Sequence, residues 1–152
     1  MKANACPEDR CVRIEISTRK QYLEVLEKIR KLTQKIVIVQ IDGPIKNDPI
    51  VNSARNMLHL EKKETVGRWY GTIARWNRGA VQYTFNTLRN RKEFFDLLSS
   101  FHSFWDGIET VAGCEYDPQA QWDDIAFLDD KGNLLFYSTT HEDDFFISKN
   151  LL

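Results

Sequence analysis

The chain has 152 residues, 42% of them hydrophobic, with nine Phe, four Trp and five Tyr, which excludes a disordered polymer and suits one domain over residues 1–152. A domain of this length buries roughly 68–70% of its unfolded surface and needs neither disulfide nor metal to hold a core. Its apolar runs fall far short of the roughly 20 residues a bilayer span requires, and 21 Lys+Arg against 22 Asp+Glu leave a net charge of −1.

That near-zero total hides a split. Residues 1–100 carry 19 Lys+Arg and 11 Asp+Glu, whereas residues 101–152 carry only Lys131 and Lys149 against 11 Asp+Glu. A net of +8 therefore precedes a net of −9. Such asymmetry points to a charged partner if folding gathers the acids on one face, and to mutual neutralisation if the halves interleave. Cys6, Cys11 and Cys114 form an odd set without paired metal-ligand spacing, and residues 1–7 lack the apolar stretch of a signal peptide. Free thiols in a reducing compartment, the cytoplasm, are expected.

Along the chain, Cys11 to Ser17 alternates Val12, Ile14 and Ile16 with Arg13 and Glu15, which predicts a half-buried strand. Thr18 then caps a helix to about Leu32, with Tyr22, Val25, Leu26, Ile29 and Leu32 on its inner face. The β-branched run Ile36 to Ile41 reads as an interior strand, closed by Gly43 and Pro44. Asp48-Pro49 starts a helix to about Leu60. Val66 to Trp76 and Ala80 to Thr87 read as a hairpin turning at Asn77-Arg78-Gly79. Asn90 to Trp105 is a helix striped by Phe94, Leu97, Leu98, Phe101 and Trp105, and ended by Gly107. Strands at residues 125–128 and 134–138 flank the turn Asp129-Asp-Lys-Gly-Asn133, and residues 145–147 add a last strand. The order β-α-β-α-β-β-α-β-β-β implies a single α+β domain, a largely antiparallel sheet with two or three helices packed on it.

No P-loop, His-Glu-x-x-His or Gly-x-Gly-x-x-Gly pattern occurs, and no nucleophile is matched to a base, so no catalytic residue, metal or cofactor is assigned and the chain is not read as an enzyme. His141-Glu142-Asp143-Asp144 is the densest polar cluster and the one place where a small metal-dependent hydrolase could build its centre, but neighbours on an extended chain point to opposite faces. His102 beside the apolar stripe reads as structural. Arg68, Trp69, Tyr70, Arg75, Trp76, Arg78 and Tyr83 mix cations with aromatics, the composition of a nucleic-acid-binding or regulatory hairpin, although the overall charge argues against a long polyanion. Trp105, Tyr116 and Trp122 stand among Asp106, Glu115, Asp117, Asp123 and Asp124, a mixture suited to a protein interface.

The chain resembles the bacterial immunity proteins of toxin–immunity pairs, including those that guard contact-dependent growth-inhibition toxins. The resemblance lies in the small α+β domain without catalytic apparatus and in the run Asp123-Asp-Ile-Ala-Phe-Leu-Asp-Asp-Lys-Gly-Asn-Leu-Leu-Phe-Tyr-Ser-Thr-Thr-His-Glu-Asp-Asp144, about the last third of the chain. It implies a cytoplasmic stoichiometric inhibitor whose partner is a cognate protein toxin, a basic nuclease domain, with neither membrane nor nucleic acid as partner. On that view Asp117, Asp123, Asp124, Glu142, Asp143 and Asp144 are the charge contacts, and Tyr116 and Trp122 the aromatic anchors.

Overall fold

The computed structural model describes residues 7–41, 43–70, 80–112 and 115–152. Seven strands form one wholly antiparallel sheet: β1 (Cys11–Ile14), β2 (Lys35–Gln40), β3 (His59–Val66), β4 (Ala80–Asn86), β5 (Asp124–Leu128), β6 (Leu134–Thr139) and β7 (Asp144–Ser148). Their order is β1-β7-β6-β5-β2-β4-β3, so β5 is central and β1 and β3 are the edges. The α+β class and antiparallel sheet expected from the sequence are what the chain adopts.

The helices are α1 (Arg19–Ile29), α2 (Pro49–Met57), α3 (Arg91–Ser99) and the single turn α4 (Glu109–Ala112). Thr18 starts α1 through a reciprocal capping box: its side chain accepts from the Gln21 N–H, and the Gln21 side chain accepts from the Thr18 N–H. Asp48 caps α2 by accepting from the N–H groups of Ile50 and Val51, with Pro49 at the first helical position. Among the described residues no helix is long and apolar enough to cross a membrane.

The helices pack on one face of the sheet. Tyr22, Leu26 and Ile29 of α1, Ile50 and Ala54 of α2, and Phe94 and Leu98 of α3 meet Ile36, Ile38, Phe85, Ile125, Phe127 and Phe136 of the strands. Phe104 lies at the centre, edge-on to Tyr22 at 5.0 Å and stacked on Phe136 at 5.3 Å and Phe145 at 5.9 Å. The opposite face carries a smaller apolar strip, Val37, Val39, Ala126, Leu134 and Tyr137, capped by Trp69 and Tyr70. Trp69 donates its indole N–H to the Ser138 carbonyl at 2.7 Å, and its ring meets Tyr70 at 4.9 Å. An interior β2 covered on both faces explains its unbroken β-branched run.

Several expectations need correction: Leu32, expected on the inner face of α1, lies beyond the helix end and is 48% exposed, and His59 and Leu60, expected in α2, begin β3. The first strand of the hairpin is β3, not residues 66–76, and Val66 already pairs with Ala80. The β-branched and alternating pattern is poor in Lys-Lys-Glu, which hid a charged edge strand, and charge is what protects an exposed edge from pairing further. Residues 71–79, including the expected turn at 77–79 and the cations Arg75 and Arg78, lie outside the described residues. The helix expected to reach Trp105 stops at Ser99. The Ser99 hydroxyl bonds back to the Phe95 carbonyl and the Ser100 hydroxyl to the Leu97 carbonyl, as serines do where helices fail. Arg19 donates to the carbonyls of Ser99 and Phe101, closing the helix end from outside. Phe101, Phe104 and Trp105 remain buried, but on a chain of turns.

Because Phe104 contacts the central strands and α1 at once, Phe104→Ala should cost about 3–5 kcal/mol, the usual range for emptying an aromatic site. A urea midpoint close to that of the unaltered protein would show that the core does not depend on this ring.

Candidate acidic cleft at one end of the sheet

The register places the ends of the strands. Val39 pairs with Asp124 and Thr139 with Asp144, so the end of β2, the start of β5 and the β6–β7 turn share one end of the sheet. Three irregular segments meet there. The first is the turn after α3, residues 103–109. The second is Tyr116 with the 3-10 turn Pro118–Trp122. The third is the 3-10 turn Thr140–Glu142 with Asp143. Between them opens a cleft of about 400 Å³. Phe104, Trp105, Ile108 and Phe145 give it apolar walls, and Asp106, Glu109 and Asp143 give it carboxylates.

One wall is held in an unusual conformation. Trp105 has φ of +65°, in the left-handed region where bulky residues are rare, while the other described non-glycine residues there are Asn47, Asn90 and Asp143. Its ring is buried and donates its N–H to the Asp123 carbonyl at 2.7 Å. Burial and that bond hold the strained turn, and Gly107, at φ +104°, completes it. The turn is what aims Asp106 and Glu109 at the cleft; in a helix continued to residue 105 they would sit elsewhere.

Of the residues expected to contact a partner, Tyr116, Trp122 and Asp143 line this cleft, and the Trp122 indole is 45% exposed. Glu142 is exposed on the same turn, its carboxylate 3.9 Å from the His141 ring. Asp117 accepts from the Gln119 N–H at 2.9 Å, capping the Pro118–Trp122 turn, and borders a neighbouring depression with Lys46 and Asn47. Asp144 is half-buried and accepts from the Arg13 guanidinium across the β1–β7 pair at 2.8 Å.

Asp123 and Asp124 require a correction. At 0% and 1% exposure they form no surface. They carry the walls instead. The Asp124 carboxylate accepts from the Thr140 N–H, the root of the 140–143 turn, and Thr140 in turn shares a hydroxyl bond with Ser138. Burial pushes the Asp124 carboxyl up to about 7, opposed by its two bonds with Thr140 and assisted by the charge of Glu142. Neither oxygen of Asp123 meets an N–H or hydroxyl. The group that acts on it is the Asp48 carboxyl. Asp48 already accepts from Ile50, Val51 and the Gln40 amide, so a bond between the two acids needs a proton on Asp123. Burial first, then that bond and the charges of Asp48 and Asp124, hold Asp123 well above the ordinary carboxylate range. The Gln40 side-chain amide oxygen accepts from the Ile45 N–H, which folds residues 43–45 back toward the end of β2. Gly43 allows the fold-back, since a Cβ there would lie 2.8 Å from that of Gln40.

The alternative chemistries are dispersed by the same geometry. Among the described residues, His141, Glu142, Asp143 and Asp144 included, no group of three His, Cys, Asp or Glu side chains could hold a metal. His102, read as structural from its place beside the stripe, is exposed. Trp69 and Tyr83 are buried and give no face to a base, although Arg55 and Lys63 each approach the Tyr83 ring at 5.5 Å. The cations Arg30, Lys31, Lys35, Arg89, Arg91 and Lys92 lie at the far end of the sheet, where Lys35 starts β2 and Asn86 ends β4. Asp129 and Asp130, in the β5–β6 turn, accompany them there. The acidic half is thus divided between an exposed cleft, a buried pair and a distant turn.

Comparison with protein-family models, with curated proteins and with solved structures returned no match to the chain.

The buried pair sets a pH dependence. Both carboxyls hold a proton more firmly folded than unfolded, so their contribution favours the fold fully below the ordinary aspartate range and is lost as pH rises above it, for Asp124 through about 7. Asp123→Asn keeps a donor toward Asp48 and removes the titration. Its urea midpoint should exceed that of the unaltered protein at pH 8, and the gap should narrow at pH 5. Equal gaps at both values would mean that Asp123 does not carry the proton.

Proposed function

We propose that this protein is a non-enzymatic immunity protein of the cytoplasm, which binds a cognate basic nuclease toxin and neutralises it through the acidic cleft. The observation that supports this reading most is the joint placement of Tyr116, Trp122 and Asp143 with Asp106 and Glu109 around one open cleft. An exposed indole ringed by carboxylates offers the aromatic anchor and the charge that interface hot spots combine. A nuclease domain carries cations to hold its polyanionic substrate, so the same cations would be drawn to this end of the inhibitor. Rigid support from Asp123 and Asp124 keeps the cleft pre-organised, which lowers the ordering cost of association.

Co-expression with the product of the reading frame immediately upstream tests the reading. The expected outcome is relief of that product's toxicity and a one-to-one complex on purification; a product that is neither toxic nor captured sinks the proposal. Within such a complex, the double substitution Glu109→Lys and Asp143→Lys should slow association about tenfold at low salt and much less at high salt. An association rate indifferent to both charges and salt would move the interface away from the cleft.

A further inference from the structure

We infer that the cleft takes an arginine side chain of the partner, its guanidinium lying on the Trp122 indole and its N–H groups turned to Asp106, Glu109 and Asp143. The inference rests on the inhibitor reading for the identity of the partner, and on the cleft's own chemistry for the residue it takes.

Three observations converge on a flat cation. Trp122 is the one aromatic among the large apolar side chains left exposed in the described residues, and it borders the cleft. An indole face attracts a cation through its quadrupole, and most strongly a planar one that can stack. The carboxylates come from two separate segments that wall the cleft, Asp106 and Glu109 from the turn after α3 and Asp143 from the β6–β7 turn. Among the described residues none of the three is in an ion pair, so the cleft's charge is not cancelled from within. Finally, a volume of about 400 Å³ admits one long side chain with its flanking backbone.

Arginine fits this arrangement better than lysine. Its five donors fan out in one plane and can serve carboxylates on two walls while the plane rests on the indole. A lysine ammonium is a compact, strongly hydrated point charge, and it satisfies one wall at a time. His141 stands at the cleft's edge, where a permanent cation in its place would compete with the incoming one.

The test uses the full-length, nitrogen-15-labelled protein titrated with N-acetyl-arginine amide and, separately, N-acetyl-lysine amide. The Trp122 indole N–H resonance should move saturably with the arginine compound and several-fold more weakly with the lysine compound. Trp122→Ala, at an exposed position, should abolish saturable shifts in the other cleft residues, and His141→Lys should weaken arginine binding several-fold. Equal affinities for the two compounds, or an arginine response that survives Trp122→Ala, would overturn the inference. The two proposals fail separately. If the upstream product is captured but arginine amide leaves Trp122 unmoved, the arginine assignment falls alone. If arginine amide binds as described and no toxin is captured, the inhibitor reading falls and the preference of the cleft stands.

Discussion

The central strand of the sheet begins at two successive buried aspartates, and much of the molecule's acidic end is arranged around keeping them there. An isolated carboxylate in an apolar interior is costly enough that a protein normally neutralises it or supplies donors. Here both solutions occur one residue apart. Burial and the Asp48 carboxyl make Asp123 hold its proton more firmly than an ordinary carboxyl, and Asp124 is kept bonded to Thr140. Through Asp123 and Asp124 the start of β5 joins the turn that carries Trp105 and the turn between β6 and β7. Removing the Asp124 carboxylate would therefore loosen the turn between β6 and β7.

This arrangement explains why a strained tryptophan is tolerated at the cleft wall. A left-handed backbone at Trp105 costs free energy that a solvent-exposed turn would release by relaxing. The indole is instead buried against Phe101 and Phe104 and tied to the main chain of Asp123, so relaxation would break a packed core. The interior thus dictates the shape of an exterior feature. The carboxylates at the cleft need no support of their own, because the turns that present them are anchored from behind.

Much of the architecture could be read from the residues. Thr18 and Asp48-Pro49 announce their helices through the donors that helix starts leave unsatisfied, and the β-branched Ile36 to Ile41 run announces a doubly covered strand. The end of α3 was harder, because Phe101 and Trp105 continue the apolar stripe while Ser99, Ser100 and Ser103 end the helix, and periodicity registers only the former. The cleft was legible in part. Tyr116, Trp122 and Asp143 stand out as aromatic and acidic residues in irregular sequence. Asp123 and Asp124 look identical to them in composition, and only the pairing of Val39 with Asp124 reveals that they enter the sheet. Asp106 and Glu109 reach the cleft through a backbone conformation that no residue preference favours at Trp105.

The separation of charge along the strands has a further consequence. Among the described residues, the cleft carries carboxylates outside any ion pair at one end, whereas the six cations at the other share the surface with Asp129, Asp130, Glu27, Glu61 and Asp96, the last three paired with Arg30, Lys35 and Lys92. With a net charge of only −1, the molecule is pulled weakly by any distant charged body. Its charge is uneven rather than large, and an uneven charge in a field is turned before it is drawn. Such a torque acts only within about a screening length, roughly 8 Å at physiological salt. Its work would thus be done in the last moments of an encounter, when it rotates the acidic end toward a cationic surface already within reach.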